Sequence, residues 1–336
     1  MKAMQLSKQA PLETKPLQMC ELPVPEPAEN QVRIKINVCG ACRTDLHIVE
    51  GELPAHKIPL IIGHQIIGRI DKLGKAVNRW QLNDRVGVPW LYRTCGQCPY
   101  CLQSRENLCD RPMFTGYDAD GGFAEYMVVD ENFTYSIPVI YHDTEAAPLL
   151  CAGVIGYQAF KATNLKSPGR LGLFGFGSSA HILLQVAQHL GHECFVVSRT
   201  DRELELAKNL GAVWTGSIDD NCGTELDAVI VFAPSGEVMV KALSKIHKGG
   251  IVVSAGIYAT SLPGFEYSGI YPEKILTSIA HTTRANVREF MKIAGDFKIE
   301  THINEYPLEQ VNQALLNIKN SSVSGSTVIK MSITTY

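Results

Sequence analysis

The sequence lacks long hydrophobic runs, and no stretch approaches the roughly 18 consecutive apolar residues that a membrane-spanning helix requires. It also lacks a strong charge of one sign, because 31 Lys and Arg against 34 Asp and Glu leave a formal net charge of −3. This balance argues against broad attraction to nucleic acid or to an anionic membrane. Residues 1–6 have no apolar stretch typical of a signal peptide, so we expect a cytoplasmic protein. The sequence also has no low-complexity tracts and no obvious internal repeat.

The 336 residues, 45% of them hydrophobic, are enough for two cores rather than one. Residues 1–151 carry short apolar runs broken by proline and glycine. In one of these runs Val32, Ile34 and Ile36 alternate with polar residues, the period of a half-buried strand. Several such runs separated by turns predict an antiparallel, barrel-like β domain.

The pattern changes near residue 152 to strands alternating with helices. We predict strands at 171–174, 194–198, 227–232 and 251–254, with helices over 178–190, around 207–210 and around 238–246. This alternation predicts an α/β Rossmann fold with a doubly wound parallel sheet, over residues 152–281. Two amphipathic helices and a strand at 327–330 follow, and we expect that strand to return to the first domain, which then comprises 1–151 and 282–336.

A glycine-rich turn follows the first predicted strand of the second domain. Gly175, Gly177 and Ala180 form a G-x-G-x-x-A pattern, with Ser178 at the start of the next helix. The first glycine permits a tight turn, the second allows a pyrophosphate to approach the backbone, and the small third residue permits close packing. Inside a βαβ unit this pattern predicts a dinucleotide site.

The chain has ten cysteines, and four of them crowd into fifteen residues. Their spacing is C-x2-C-x2-C-x7-C, which lets tight turns direct several sulfurs at one ion. Four thiolates complete a tetrahedral shell, so this pattern predicts a structural zinc ion. The alternative is a set of free or disulfide-linked thiols. The residues are Cys95, Cys98, Cys101 and Cys109.

A catalytic zinc needs three protein ligands and one open position. Cys42, His64 and Cys151 are the candidates, although a single buried cysteine or histidine is more often structural. Together with their neighbours they resemble the zinc-dependent medium-chain alcohol dehydrogenase family along essentially the whole chain. The matching stretches are Cys42–His47, Gly63-His64, the four-cysteine lobe, Asp120–Tyr126 and Pro148–Gly153.

The resemblance implies a GroES-like catalytic domain, a catalytic zinc on Cys42, His64 and Cys151, and a structural zinc on the four-cysteine lobe. It implies an alcohol whose pKa is lowered by the metal and whose alkoxide gives a hydride to nicotinamide. Thr44 and His47 would form the proton relay. The family also forms dimers or tetramers, so we expect a homo-oligomer.

Further roles follow from the resemblance. Asp45 would orient His64, and Trp90 would narrow the pocket for a small alcohol or aldehyde. Helix capping and ordinary core packing are the alternatives for these residue types. Gln65 stands where the family usually has Glu, and Gly325-Ser326-Thr327 lacks the usual basic residue, so Arg43 is the expected phosphate contact.

The second strand of the dinucleotide domain ends at Ser198 and Arg199, with no acidic residue before Asp201. An NAD site usually has a carboxylate there that binds the ribose hydroxyls. Ser198 and Arg199 would instead bind a 2′-phosphate, so we expect NADP(H) in preference to NAD(H). In the alternative, Arg199 covers the adenine and NAD(H) binds.

Two other functions share parts of this pattern. A zinc-dependent polyol, sugar or amino-alcohol dehydrogenase would use the same machinery with a more polar pocket. A zinc-stabilised nucleotide-binding regulator would need no open metal site, and the candidates Cys42, His64 and Cys151 therefore argue against it.

Overall fold

The computed structural model describes residues 1–323 and 325–331. The chain divides into two compact units, one from residues 1–151 together with the described residues from 282 onward, and one from residues 152–281. The predicted fold class, a doubly wound parallel sheet plus a separate β-rich domain, is confirmed. Within the described residues, no helix combines the length and the apolar character needed to cross a bilayer.

The first unit is mainly antiparallel β structure. Its strands are β1 (Lys2–Leu6), β2 (Leu17–Glu21), β3 (Gln31–Ala41), β4 (Leu60–Ile61), β5 (Gln65–Leu73), β6 (Arg85–Val88), β7 (Leu91–Arg93), β8 (Met113–Phe114), β9 (Tyr126–Asp130), β10 (Tyr135–Ser136), β17 (Ile303–Pro307) and β18 (Ser326–Lys330). Its α-helices are α1 (Arg43–Glu50), α2 (Pro99–Leu102), α3 (Asp143–Ala146), α8 (Arg284–Asp296) and α9 (Val311–Lys319). Its 3-10 helices span Leu12–Thr14, Glu106–Leu108, Glu131–Phe133, Ala147–Leu150 and Leu308–Gln310.

The large sheet of this unit has the order β10-β6-β5-β3-β18-β17, with β9 also pairing with β3. The alternation in β3 has its expected result, because Val32, Ile34 and Ile36 are buried in the core. The late strand β18 pairs antiparallel with β3, so Val328 lies opposite Gly40. Two smaller sheets, β2-β1-β4 and β7-β8, complete the β structure.

The second unit is one parallel sheet with helices between its strands. The strands are β11 (Arg170–Phe174), β12 (Glu193–Val197), β13 (Trp214–Gly216), β14 (Leu226–Val231), β15 (Ile246–Ser254) and β16 (Ile275–Ser278), in the order β13-β12-β11-β14-β15-β16. The helices are α4 (Ala152–Thr163), α5 (Ser178–His189), α6 (Asp201–Asn209) and α7 (Gly236–Leu243), with a 3-10 helix at Tyr267–Gly269. The order reverses beside β11, so the turn after β11 lies where doubly wound folds bind ligands.

Two predicted boundaries are wrong. The helix expected around 238–246 ends at Leu243, and the strand expected at 251–254 already begins at Ile246. Ile246 pairs with Leu226 of β14, and this long-range pairing takes the residue out of the helix. β17 was not predicted because none of its side chains is fully buried, which leaves no apolar alternation to detect.

Candidate metal and coenzyme sites

Among the described residues of the first unit, two groups of potential metal ligands form. In each group the ligand atoms all lie within 4.8 Å of one another. One consists of Cys42, His64 and Cys151, which are distant in sequence. The other consists of Cys95, Cys98, Cys101 and Cys109.

The three members of the first group come from different elements of the β-rich unit. Cys42 is the N-cap residue of α1, His64 immediately precedes β5, and Cys151 follows the 3-10 helix Ala147–Leu150. The Sγ of Cys42 lies 3.4 Å from Nε2 of His64. His64 is only 1% exposed, so its imidazole is held in the interior.

Asp45 fixes both Cys42 and His64. One carboxylate oxygen accepts a hydrogen bond from the backbone N–H of Cys42 at 2.8 Å, and the other lies 3.1 Å from Nδ1 of His64. The side chain therefore caps α1 and orients the imidazole at the same time, so the two alternatives weighed for this residue coexist. Because Nδ1 faces the carboxylate, Nε2 is directed towards the sulfur of Cys42.

The group carries strongly perturbed pKa values in the absence of a metal. Burial disfavours the charged imidazole, but the negative charges of Asp45 and Cys42 outweigh burial and raise the pKa of His64 to about 10. A hydrogen bond with the Cys151 thiol lowers the pKa of Cys42 well below its ordinary value, and the same hydrogen bond raises that of Cys151. Cys42 is thus the thiolate of the pair.

These donors fit a zinc ion. Two sulfurs and an imidazole nitrogen are ligands that zinc prefers, and a carboxylate behind the histidine is the usual arrangement around metal-bound imidazole. Three protein ligands leave the fourth tetrahedral position for another molecule. The cluster of Cys42, His64 and Cys151 therefore has the donor set of a catalytic zinc site.

The helix that starts at Cys42 carries three further candidates. Arg43 is exposed and donates from Nη2 to the hydroxyl of Ser321 at 3.2 Å. Thr44 is half-buried in the first turn. His47 lies one turn further along, and its Nδ1 contacts the carboxylate of Glu52.

Trp90 and Gln65 border the metal cluster. The indole of Trp90 meets the His64 ring edge-on at 4.9 Å and stacks on Phe114 at 5.0 Å, so it packs in the core and also contacts a ligand. Gln65 is 3% exposed, and its amide nitrogen has no hydrogen-bond partner among the residues that the structure describes. The residue replacing the family's usual Glu is therefore an uncharged group with a buried donor.

The four-cysteine lobe is built from local turns. The backbone N–H groups of Gln97 and Cys98 lower the pKa of Cys95 to about 6. Such N–H donors stabilise the thiolate form that binds metal. The lobe is joined to α8 through Glu106, which accepts from the backbone and side chain of Arg284 at 2.8 and 3.1 Å. Four sulfurs with this geometry fit a closed structural zinc site.

The glycine-rich turn lies in the second unit, between β11 and α5. Gly175 has φ +92°, and a Cβ there would come within 2.9 Å of the Ala233 nitrogen, so only glycine fits without strain. Gly177 is the N-cap of α5, and a Cβ there would meet nothing within 4 Å. Ser178 is half-buried at the first position of α5, and Ala180 is fully buried. Open space above a helix N-terminus fits a phosphate group.

No acidic residue follows β12 in the sequence before Asp201, but the fold brings the carboxylate of a later residue to the end of this strand. Ser198 is buried, and its hydroxyl donates to the carboxylate of Glu203 in the first turn of α6. Arg199 is exposed beside it. Glu203 lies beyond the strand end where the dinucleotide pattern has its acidic residue, so that pattern does not identify it, although Thr200 and Glu203 have the spacing of a helix-start motif.

Comparisons with known proteins agree with this architecture. Residues 28–139 match the alcohol dehydrogenase GroES-like domain. A probable alcohol dehydrogenase of Mycobacterium tuberculosis is 41% identical over 335 residues, covering 98% of this chain and 97% of the relative. An alcohol dehydrogenase of Geobacillus stearothermophilus is 35% identical over 327 residues, covering 94% and 97%.

The fold has close relatives among solved structures. A cinnamyl alcohol dehydrogenase of Sorghum bicolor superposes with a TM-score of 0.90 at 26% identity, over 98% of this chain and 97% of that one. The similarity to curated relatives extends over nearly all of the chain, beyond the GroES-like domain. The chain belongs to the zinc-dependent medium-chain alcohol dehydrogenase family, a family of oxidoreductases.

Proposed function

We propose that this protein is a zinc-dependent alcohol dehydrogenase that reversibly oxidises a small alcohol to its aldehyde or ketone. When bound, NAD(P)+ would accept the hydride from the substrate carbon, and the protein would take up the proton of the substrate hydroxyl. The observation that carries the proposal is the meeting of Cys42, His64 and Cys151, with Thr44 in the helical turn that Cys42 caps. A nucleotide-binding regulator would need no metal site with an open coordination position beside a hydroxyl group.

Cys42, His64 and Cys151 would hold the catalytic zinc. When bound, zinc acts as a Lewis acid that lowers the pKa of an alcohol. Asp45 keeps the imidazole of His64 in the orientation that presents Nε2 to the metal. The four-cysteine lobe would hold a second, structural zinc, which gives two zinc ions per chain.

Thr44 would bind the substrate hydroxyl, because its own hydroxyl both donates and accepts hydrogen bonds. It would accept the substrate proton, which would then pass through the coenzyme ribose to His47, a residue of the same helix. The contact between His47 and Glu52 orients the ring, and imidazole exchanges protons near neutral pH. Arg43, exposed at the start of the helix, would contact the coenzyme phosphates.

The parallel-sheet unit would bind the coenzyme. Gly175, Gly177, Ser178 and Ala180 form the turn for the pyrophosphate, and Ser198 with Arg199 borders the adenosine ribose. The exposed guanidinium of Arg199 favours NADP(H) over NAD(H). Glu203 favours the alternative, NAD(H), because it places a carboxylate beside Ser198.

The substrate would be a short alcohol or aldehyde. The large indole of Trp90 lies against His64, so it occupies volume next to a metal ligand. Phe114 and Tyr117 stack against the same indole at 5.0 and 5.9 Å. Such an aromatic surrounding favours an apolar substrate over a polyol or a sugar.

We propose a homo-oligomer on the basis of the second unit's surface. β16 is the end strand of the parallel sheet, and the stretch of chain from residue 257 to Ile275 in this strand exposes several large apolar side chains. These side chains are Ile257, Tyr258, Leu262, Phe265, Tyr267, Tyr271 and Ile275.

The test combines metal analysis with turnover of three variants. The unmodified protein should contain about two zinc ions per chain and oxidise short alcohols with NADP+ or NAD+. Cys42→Ala should lose one zinc and essentially all turnover, yet keep its melting temperature within a few degrees. Cys98→Ala should lose the other zinc and unfold at a clearly lower temperature, because the lobe loses its cross-link.

Cys20→Ala is the matched control. Cys20 is half-buried in the same unit and belongs to neither group of metal ligands. Its thiol donates a hydrogen bond to the carbonyl of Ala3. It should retain both zinc ions and activity. Full activity of Cys42→Ala, or one zinc or none in the unmodified protein, would contradict the proposal.

A further inference from the structure

We propose that Glu203 determines how the protein discriminates between a coenzyme with a free adenosine 2′-hydroxyl and one with a 2′-phosphate. The inference rests on the proposed function, because it assumes that the parallel-sheet unit binds a nicotinamide dinucleotide. The observation that supports the inference is the contact between the Glu203 carboxylate and the Ser198 hydroxyl.

The contact lies beside the glycine-rich turn. In the pairing of β11 with β12, Phe174 lies opposite Val197, and Gly175 donates its N–H to the carbonyl of Val197 at 2.8 Å. Ser198, the next residue, is thus adjacent to the turn at the carboxyl edge of the sheet. This edge is where doubly wound folds bind their ligands.

The hydroxyl of Ser198 is fully engaged in this arrangement. Its only proton is donated to Glu203, and its oxygen accepts from the backbone N–H of Thr200 at 3.5 Å. The side chain is also buried, because Ser198 is 6% exposed. A phosphate oxygen can therefore accept a hydrogen bond from the Ser198 hydroxyl only if it displaces the Glu203 carboxylate as the acceptor.

The two coenzymes place opposite chemistry at this position. A ribose with two free hydroxyls offers O–H donors, which a carboxylate accepts. A 2′-phosphate offers only acceptor oxygens and about two negative charges, which a neighbouring carboxylate repels. Arg199 acts in the other direction, because its cation attracts the phosphate. Glu203 thus offsets the preference that Arg199 creates.

A purely structural role for Glu203 makes a different prediction. Glu203 is the third residue of α6, where an acidic side chain often caps the helix start. Here, however, its carboxylate contacts the Ser198 hydroxyl. A capping role would lower stability on substitution without changing the ratio of affinities for two nucleotides.

The experiment measures binding of adenosine 2′,5′-bisphosphate and of adenosine 5′-monophosphate by calorimetry. The two probes differ only in the 2′-phosphate. Glu203→Gln keeps the shape and removes the charge, and we expect it to raise the affinity ratio in favour of the bisphosphate about tenfold. Glu203→Asp, which retracts the charge from Ser198, should shift the ratio in the same direction by less.

Glu205→Gln provides the matched control. Glu205 is exposed on the same helix, so its substitution changes the net charge equally. An equal shift in Glu203→Gln and Glu205→Gln, or no shift in either, would overturn the inference. If the unmodified protein binds neither probe, the proposed coenzyme site fails instead.

The melting temperatures of all variants complete the experiment. A Glu203→Gln protein with lower stability and an unchanged affinity ratio would assign Glu203 to helix capping alone, against the inference. A changed ratio at unchanged stability supports it.

Discussion

At the scale of single residues, Asp45 supports two of the three candidate ligands of the catalytic metal. It is fully buried, and its two oxygens hold the backbone of one candidate ligand and the side chain of another. A carboxylate hydrogen-bonded to a metal-binding histidine raises the basicity of the imidazole and restricts its rotation. Both effects strengthen metal binding without any contact between the carboxylate and the metal.

We predict that Asp45→Asn lowers the zinc affinity of the catalytic site by about 10- to 100-fold. An amide oxygen can still accept from the Cys42 N–H, so α1 should begin as before. The measurement is competition with a chromophoric chelator, after the lobe zinc has been assigned with Cys98→Ala. Asp118→Asn is the control, since Asp118 pairs with the surface residue His56 outside both metal groups. Equal zinc affinities of the two variants would contradict this role.

The pKa values at the same cluster predict proton release on metal binding. The pKa of His64 is raised to about 10 and that of Cys151 lies above its ordinary value, so both hold their protons at neutral pH without a metal. Zinc binds only their deprotonated forms. Zinc affinity should therefore rise with pH throughout the neutral range.

This prediction is tested by calorimetric zinc titration in buffers with different ionisation enthalpies. Cys42, whose pKa is lowered, contributes no proton because it is already a thiolate. Release should fall when His64 is replaced by Ala. A zinc affinity independent of pH would contradict the assignment of the protons.

At the scale of structural elements, the glycine-rich turn separates a folding requirement from a binding requirement. Gly175 has a positive φ and Ala233 close by, whereas Gly177 has φ −95° and open space. We predict that Gly175→Ala lowers the free energy of unfolding by about 1–3 kcal/mol. Gly177→Ala should lower it by less than about 1 kcal/mol, yet weaken dinucleotide binding, because the methyl group occupies the open space.

Chemical denaturation and nucleotide titration of both variants check this prediction. The two substitutions add the same methyl group two residues apart, so each is the control for the other. Equal losses of stability, or unchanged affinity in Gly177→Ala, would show that the turn does not approach a phosphate.

Most elements near the sites follow from the sequence, and the misses have a common cause. The apolar alternation of β3 and the helical periodicity of α5 are local patterns, and both elements form where they are predicted. The end of α7 and the strand β17 were not predicted. Ile246 is taken into β15 by its pairing with Leu226, and β17 pairs with β18, so distant partners decide both segments.

At the scale of the whole molecule, the end strand β16 and the exposed apolar side chains of residues 257–275 predict self-association. An unprotected edge strand has unpaired backbone N–H and C=O groups, and a second copy can pair with them. We predict that the unmodified protein sediments as at least a dimer. Ile275→Lys, in β16, should shift the protein towards monomers, because a charged side chain at the edge opposes pairing.

The control is Val139→Lys, which introduces the same charge at a residue of the other unit that is 92% exposed. It should leave the sedimentation coefficient unchanged. A monomeric unmodified protein, or an Ile275→Lys variant that sediments like it, would contradict self-association through this surface.

Features that short segments specify can be predicted from the amino-acid sequence alone. The cysteine spacing brings the four sulfurs of the lobe together through tight turns, and the pattern around Gly175 and Gly177 places a turn between a strand and a helix. The alternation of strands and helices predicts the parallel sheet because each strand and each helix has its own local period. In each case a short segment carries the pattern, although the strands themselves pair with partners far away along the chain.

Contacts between distant side chains, in contrast, depend on how the elements pack in three dimensions. Cys42, His64 and Cys151 come from separate elements, and in the sequence only a family resemblance connects them. The contact of Glu203 with Ser198 depends on where α6 starts relative to the end of β12, which no local pattern specifies. Such contacts form because packing of the core positions whole elements, and the positions of individual side chains follow from that packing.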